Sequence, residues 1–414
     1  MKKSLLLLCL LLPLLPLNAQ VKKATTKQLV KQLPKKGEMT ILAWYSIQPE
    51  GLNLQRFQEL KDAGFTHSFS ESFHSLDMMQ KALDLAQQVD VKLIVSTPEL
   101  SKNPEATVKR FMKHPAAAGY FLRDEPSAAE FADLGAWARK IQAVDKEKYC
   151  YLNLFPDYAP LEVLKTNSYY EYVKRFDEEV NLPFLSFDYY PIVEDQGKTI
   201  VRGTFFNTLE TFMKVGQEVN KPFWAFALTT AHTPYPIPNE AHLRFQMYSN
   251  LAYGAQGLQY FTFWTPKNTK IWNFHHGPIN EFDQRTEIYD YVKSLNKDIQ
   301  GLSPVFLGAK VISVQHTGDE IPMSTRRLSQ LPSAVKSLET KGSEGAIVSH
   351  LQNGNREFLV VVNRDIHQKM SVNIEVQQGV ERVMKDGSLV DASTYANNLG
   401  VAPGDLLVYS WVKK

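Results

Sequence analysis

The run Gly119-Tyr-Phe-Leu-Arg-Asp-Glu-Pro126 is an apolar strand that ends in two adjacent acids and a proline. In a protein of alternating strands and helices, the loops after the carboxyl ends of the strands line the binding cleft. A strand ending in Asp124-Glu125-Pro126 therefore sets a carboxylate at that cleft. A structural reading competes with it: Asp124 caps the next helix and Glu125 stabilises its first turn.

The same alternation runs outward in both directions. Strand-like segments fall at residues 40–47, 66–70, 92–96, 118–123, 149–155, 184–189, 223–228 and 258–264. Helical patterns lie between them, among them 54–63, 76–89, 128–144 and 241–253, with a last one at 284–299. Phe57, Leu60 and Ala63 show the spacing of a helix with one buried face. Eight strands, each followed by a helix, predict a (β/α)8 TIM barrel over residues 20–304. After Pro304 the pattern changes. Short strands at 311–315, 345–349, 357–363, 370–376, 380–384 and 406–411 are divided by turns such as Asn353-Gly354, Asp386-Gly387 and Pro403-Gly404. They predict an antiparallel β-sandwich over residues 305–414.

The first residues read as a secretory signal. Lys2 and Lys3 form the positive end, residues 5–17 the apolar run, and Leu17-Asn18-Ala19 the cleavage site. Residues 1–19 are thus expected to be removed and the rest exported, to the periplasm or outside the cell. The run is too short for a membrane span. Cys9 lies within the apolar run, without the preceding small residues of a lipoprotein signal. Cys150 is then the one cysteine left, so no internal disulfide is expected. Its apolar surroundings point to an inert, buried thiol. A net charge of +2 gives no footing for nucleic acid or an anionic membrane. An aromatic content of 11% suits a protein that stacks on sugar rings, though cores use aromatics too.

These segments resemble the clan A glycoside hydrolases, near the family 42 β-galactosidases. Three motifs carry the likeness: Asp124-Glu125-Pro126, the segment Leu243-Arg-Phe-Gln-Met-Tyr-Ser-Asn-Leu-Ala-Tyr-Gly-Ala-Gln-Gly-Leu-Gln-Tyr-Phe-Thr-Phe-Trp264, and Pro403-Gly-Asp-Leu-Leu-Val-Tyr409. The family's fourth strand ends in Asn-Glu-Pro, whose Glu is the acid/base, so the resemblance implies that role for Glu125. It also implies a nucleophilic Glu at the end of the seventh strand. Here Pro222-Phe-Trp-Ala-Phe-Ala-Leu-Thr-Thr-Ala-His232 holds no carboxylate. Either another acid supplies the second function, or the barrel binds a glycan without cleaving it.

Asp188 is the expected replacement, because Phe184-Leu-Ser-Phe-Asp-Tyr-Tyr-Pro191 ends the sixth strand in an acid and two aromatics. Strands four and six lie two apart, which suggests the gap of roughly 6–10 Å that admits a water in an inverting enzyme. The alternative is that Asp188 bonds backbone amides and orders the turn. Glu71 and Glu99 also follow strands and suit sugar hydroxyls or solvent equally. Asp124 is read as a partner that binds a hydroxyl or keeps Glu125 protonated by like-charge repulsion. A general acid needs such a raised pKa.

Trp264 is expected at the floor of a sugar subsite, with Tyr45 beside it and Trp44 in the core. Strand alternation turns only one of Tyr189 and Tyr190 inward, and Tyr190 is taken as a substrate-binding candidate. His232 is assigned to substrate hydroxyls. His232, His275 and His276 lack the spacing of a metal site, and no nucleotide-binding glycine loop occurs. No cofactor or metal is expected, and the partner is an oligo- or polysaccharide.

Overall fold

The computed structural model describes residues 31–33, 37–71 and 73–413. The expected signal segment, with Cys9, lies outside the described residues. Eight parallel strands form one sheet: β1 (Thr40–Trp44), β2 (His67–Ser68), β3 (Lys92–Val95), β4 (Ala117–Asp124), β5 (Tyr149–Asn153), β6 (Leu185–Phe187), β7 (Phe223–Leu228) and β8 (Gly257–Phe261). Each pairs with the next in sequence except β5 and β6, and β8 pairs with β1. A parallel bridge from Leu154 to Phe187 joins β5 to β6, so the barrel is nearly closed. The strand alternation expected from the sequence is observed.

The helices follow from local signals. Helix Leu76–Gln88 starts where the Ser75 side chain accepts a hydrogen bond from Met78 N at 3.2 Å. It buries Met79, Ala82, Leu83 and Ala86, the stripe that a period of 3.6 residues directs at one neighbour. Inside the barrel an aromatic cluster takes the place of the usual branched aliphatics. Trp44, Phe69, Phe121, Tyr151, Phe184, Trp224 and Phe226 pack together with Leu42, Ile94 and Leu228. Trp44 touches Phe69, Phe121, Tyr151 and Phe226, the core role expected of it. Cys150 is buried and free.

Beyond the barrel, strands Lys310–His316, Ala346–Asn353, Arg356–Asn363, Leu406–Val412, Glu381–Val383 and Ser388–Asp391 build an antiparallel sheet. Lys31–Gln32 adds its edge by pairing with Ser388–Asp391, so the chain enters through this sheet before it starts the barrel. A second sheet, Val335–Lys341, Met370–Val376 and Tyr395–Val401, packs over one face of the first. Of these strands, Val335–Lys341, Ser388–Asp391 and Tyr395–Val401 were not marked by the sequence pattern. The other face meets barrel helix Glu240–Ala252, where Ser349 Oγ donates to Ala252 O at 2.7 Å. That helix is buried nearly all round, as a helix between two layers must be.

Candidate active site

The acids gather at the carboxyl face. Strand alternation from the inward-facing Phe121 would turn Asp124 out of the barrel. A bulge in β4 prevents this: Phe121 pairs with Tyr151, but Arg123 pairs with Leu152 and Asp124 with Asn153. The extra residue turns Arg123 outward and brings Asp124 into register with the inward-facing Asn153. Glu125 then takes a left-handed backbone, with φ at 44°, an uncommon conformation for a residue with a side chain. Its N–H donates to Asn153 O at 2.9 Å.

Neither acid is spent as a helix cap. The turn after them is closed by Ser127 and Glu130, where Glu130 Oε2 accepts from Ser127 N at 2.9 Å and Ser127 Oγ at 3.1 Å. Asn153, which the sequence reading missed, bridges the acids of two strands. Its Nδ2 donates to Asp188 Oδ1 at 2.9 Å and more weakly to Asp124 Oδ1 at 3.3 Å. Asn153 Oδ1 accepts from Ser186 Oγ at 3.0 Å, and Gln259 Nε2 donates to Ser186 Oγ at 2.9 Å. Tyr151 OH donates to Gln259 Oε1. A polar residue closing the apolar run of β5 was the signal for Asn153.

Asp188 is buried, and its carboxyl meets that of Glu125 in a hydrogen bond. This corrects the expected water-sized gap between the two groups. Two carboxyls in contact cannot both ionise freely, so one proton stays between them. Desolvation, then the charge of Asp124, raises the Glu125 pKa, while the hydrogen bond to Asp188 acts the other way. Desolvation and Glu125 raise that of Asp188 well above the ordinary range. Asp124 is wetted from the cleft yet walled by protein. Desolvation, Asp188 and Glu71 shift it upward too. The shift is toward the neutral form at each of the three.

Glu71 is exposed and acts on Asp124 electrostatically. Glu99 lies in the first turn of helix Pro98–Lys102, with one carboxyl oxygen buried and unpaired among the described residues. Tyr190 is the inward tyrosine. It belongs to the interior aromatic cluster and meets Tyr235 edge-on at 5.8 Å. Tyr189 points outward, and its hydroxyl lies 2.7 Å from Thr204 Oγ1. Tyr45 is half-buried at the end of β1, and its carbonyl accepts from Trp264 N at 3.2 Å.

Trp264 departs from its expected place. It packs in the layer between barrel and helices, pressed against Gly51 and covered by the Arg56 guanidinium at 4.9 Å. Its ring is a core element, not the floor of a subsite. A different tryptophan reaches the surface. Trp272, in the loop after β8, is 43% exposed and stacks on Phe274 with centroids 5.8 Å apart. His232 is buried against both rings and Tyr235, and burial lowers its pKa. Its Nδ1 lies 3.3 Å from Thr230 O. Among the described residues, no group of three or more His, Cys, Asp or Glu side chains is placed to hold a metal ion.

A nearly closed eight-stranded barrel followed by packed antiparallel sheets is a fold found in solved β-galactosidase structures. The structure is similar to that of a β-galactosidase from Bacillus circulans sp. alkalophilus, with a TM-score of 0.60 and 8% identity over 91% of this chain and 99% of that one. It is similar also to a catalytic mutant of a GH42 β-galactosidase from G. stearothermophilus, with a TM-score of 0.58 and 8% identity over 93% and 100%. A β-galactosidase from the psychrophilic Marinomonas ef1 aligns with a TM-score of 0.50 and 11% identity over 64% of this chain and 60% of that one. No protein-family model and no curated protein sequence matches the chain. The likeness is one of fold.

Proposed function

We propose that the protein is an exported glycosidase that cleaves glycosidic bonds of a glycan, with Glu125 as the general acid. One observation carries this reading: Glu125 stands at the carboxyl face, where its desolvation and the charge of Asp124 favour its protonated form. A protonated carboxyl donates to the glycosidic oxygen as the bond from oxygen to the anomeric carbon breaks; water then adds to that carbon and gives up a proton to the carboxylate left on Glu125. Asp188 acts as the electrostatic partner that shares the proton, held by Asn153. Asp124 raises the affinity of Glu125 for its proton. Polysaccharides and aryl glycosides, β-galactosides first among them, are the substrates to screen. Wild-type turnover of a glycan with a poor leaving group that is lost in Glu125→Gln would support the reading; turnover of that glycan retained in the variant would end it.

A second reading is a carbohydrate-binding barrel without hydrolysis. It is favoured by the strands opposite the acids. Leu228-Thr-Thr-Ala-His232, Phe261-Thr-Phe-Trp264 and Trp44-Tyr-Ser-Ile47 end β7, β8 and β1 without a carboxylate. Glycan binding with no turnover of any substrate would select it. Export is part of the first reading, on the strength of residues 1–19. Among the described residues, no helix is long and apolar enough to cross a membrane. Mass spectrometry of the native protein should find its amino terminus near Gln20, and an intact Met1 would refute export by this route. The barrel at 20–304 and the sandwich at 305–414 are proposed as the two domains of the mature chain, with Lys31–Gln32 lending an edge strand to the second.

A further inference from the structure

Three successive loops at the carboxyl face bring Tyr158, Arg202 and Tyr235 together, after β5, β6 and β7. The Arg202 guanidinium lies 4.6 Å from the Tyr158 ring and 5.4 Å from the Tyr235 ring. Its place is fixed by backbone bonds on both sides: Arg202 N donates to Pro191 O at 2.7 Å, and Glu194 N donates to Pro234 O at 2.8 Å. Between them runs the hairpin of Ile192–Asp195 and Lys198–Val201. Among the described residues, no side chain or carbonyl makes a hydrogen bond or ion pair with this guanidinium. Two aromatic rings hold it instead.

An arginine held by its faces keeps its edge free, and that edge carries donors in a fork that matches two oxygens of a carboxylate or of a tetrahedral oxyanion. The surroundings suit a sugar. Tyr158 is 43% exposed, and Tyr235 continues the aromatic rim through His232 at 4.7 Å to Trp272 and Phe274. Asp188 closes the strand that feeds the hairpin, and Tyr158, which Arg202 covers, lies within electrostatic reach of Asp188 as well. Asp188 itself is turned to Asn153 and Glu125. The cation is thus left for something that enters from outside.

We propose that Arg202, with Tyr158 and Tyr235, forms a subsite for an acidic sugar residue and binds its carboxylate or sulfate ester. The inference rests on the reading of this cleft as a glycan site. Calorimetric titration with trigalacturonate, a 6-O-sulfated galactotriose and neutral galactotriose tests it, with hydrolysis followed in the same samples. One of the two acidic ligands should bind at least about tenfold tighter than the neutral one, and which does so separates uronate from sulfate. Arg202→Gln should remove roughly tenfold or more of that affinity and leave neutral binding alone, while Arg202→Lys should restore only part of it. Equal wild-type binding of all three ligands overturns the inference, as does an equal loss for all three in Arg202→Gln. Acidic preference lost in Arg202→Gln, without turnover, keeps the subsite and ends the hydrolase reading. Turnover of neutral glycans without acidic preference does the reverse. Failure to bind or cleave any of the three removes both.

Discussion

The two halves of the barrel mouth carry opposite chemistry. Strands β4, β5 and β6 end in Asp124, Glu125, Asn153 and Asp188, tied into one network by Asn153. Strands β7, β8 and β1 end in threonines and aromatics, and the loops beyond them supply His232, Tyr235, Trp272 and Phe274. A retaining glycosidase sets its carboxyls about 5–5.5 Å apart across the anomeric carbon. Here the facing pair is in contact on one wall. The acid half is therefore built to hold a proton, and the aromatic half to hold a ring.

The largest expected effect falls on the acid half. Glu125→Gln should lower kcat by about 10²–10⁴-fold on a substrate with a poor leaving group, with KM little changed. An activated aryl glycoside should lose less, because its leaving group needs little protonation. Steady-state kinetics on the two substrates check this, and equal losses would assign Glu125 to binding alone.

The two tryptophans sharpen the contrast on the other half. Trp264→Ala empties a buried site under Gly51 and Arg56 and should destabilise the fold by about 3–5 kcal/mol. Trp272→Ala should leave the unfolding transition in place and weaken glycan binding by roughly fivefold or more. Denaturant unfolding and calorimetry on the pair decide it. Loss of binding in a folded Trp264→Ala would restore that ring to the subsite.

Much of this was legible in the sequence, and the failures share a cause. Strand order was readable because each strand is an apolar run between amphipathic helices. The acids at the ends of strands four and six were readable because strand ends face the cleft. What could not be read is direction. The bulge beside Phe121 and the left-handed backbone of Glu125 set where the acids point, and both arise from pairing with β5. Alternation alone left Tyr189 and Tyr190 equivalent until packing turned Tyr190 inward. Trp264 follows strand eight but turns into the helix layer. Arg202 gave no signal, since its meaning depends on tyrosines 44 and 33 residues away in the chain.

A smaller effect concerns the alkaline side of the activity profile. Glu125 must be protonated to act, so activity falls as pH rises through its raised pKa. The Asp124 charge is one cause of that rise. Asp124→Asn should therefore move the alkaline limb of kcat/KM toward acid. A limb that stays in place would mean that desolvation alone sets the proton affinity of Glu125.

The smallest effect is on stability, and its sign separates a catalytic cluster from a structural one. The fold raises the pKa of Glu125 above its ordinary value, so the native state binds the proton more tightly than the unfolded chain does. Below the ordinary carboxylate range both states are protonated and the group costs nothing. As pH rises from that range through the raised value, the unfolded chain ionises freely while the native state resists, and stability falls. Glu125→Gln removes the ionisation and keeps the shape, so it should raise the melting temperature by roughly 2 °C or more at about pH 8 and by less at about pH 5. Differential scanning calorimetry at the two pH values measures the difference. A variant less stable than the wild type at about pH 8 would make the Glu125 carboxylate a support of the fold, and its crowding with Asp124 and Asp188 would no longer point to catalysis.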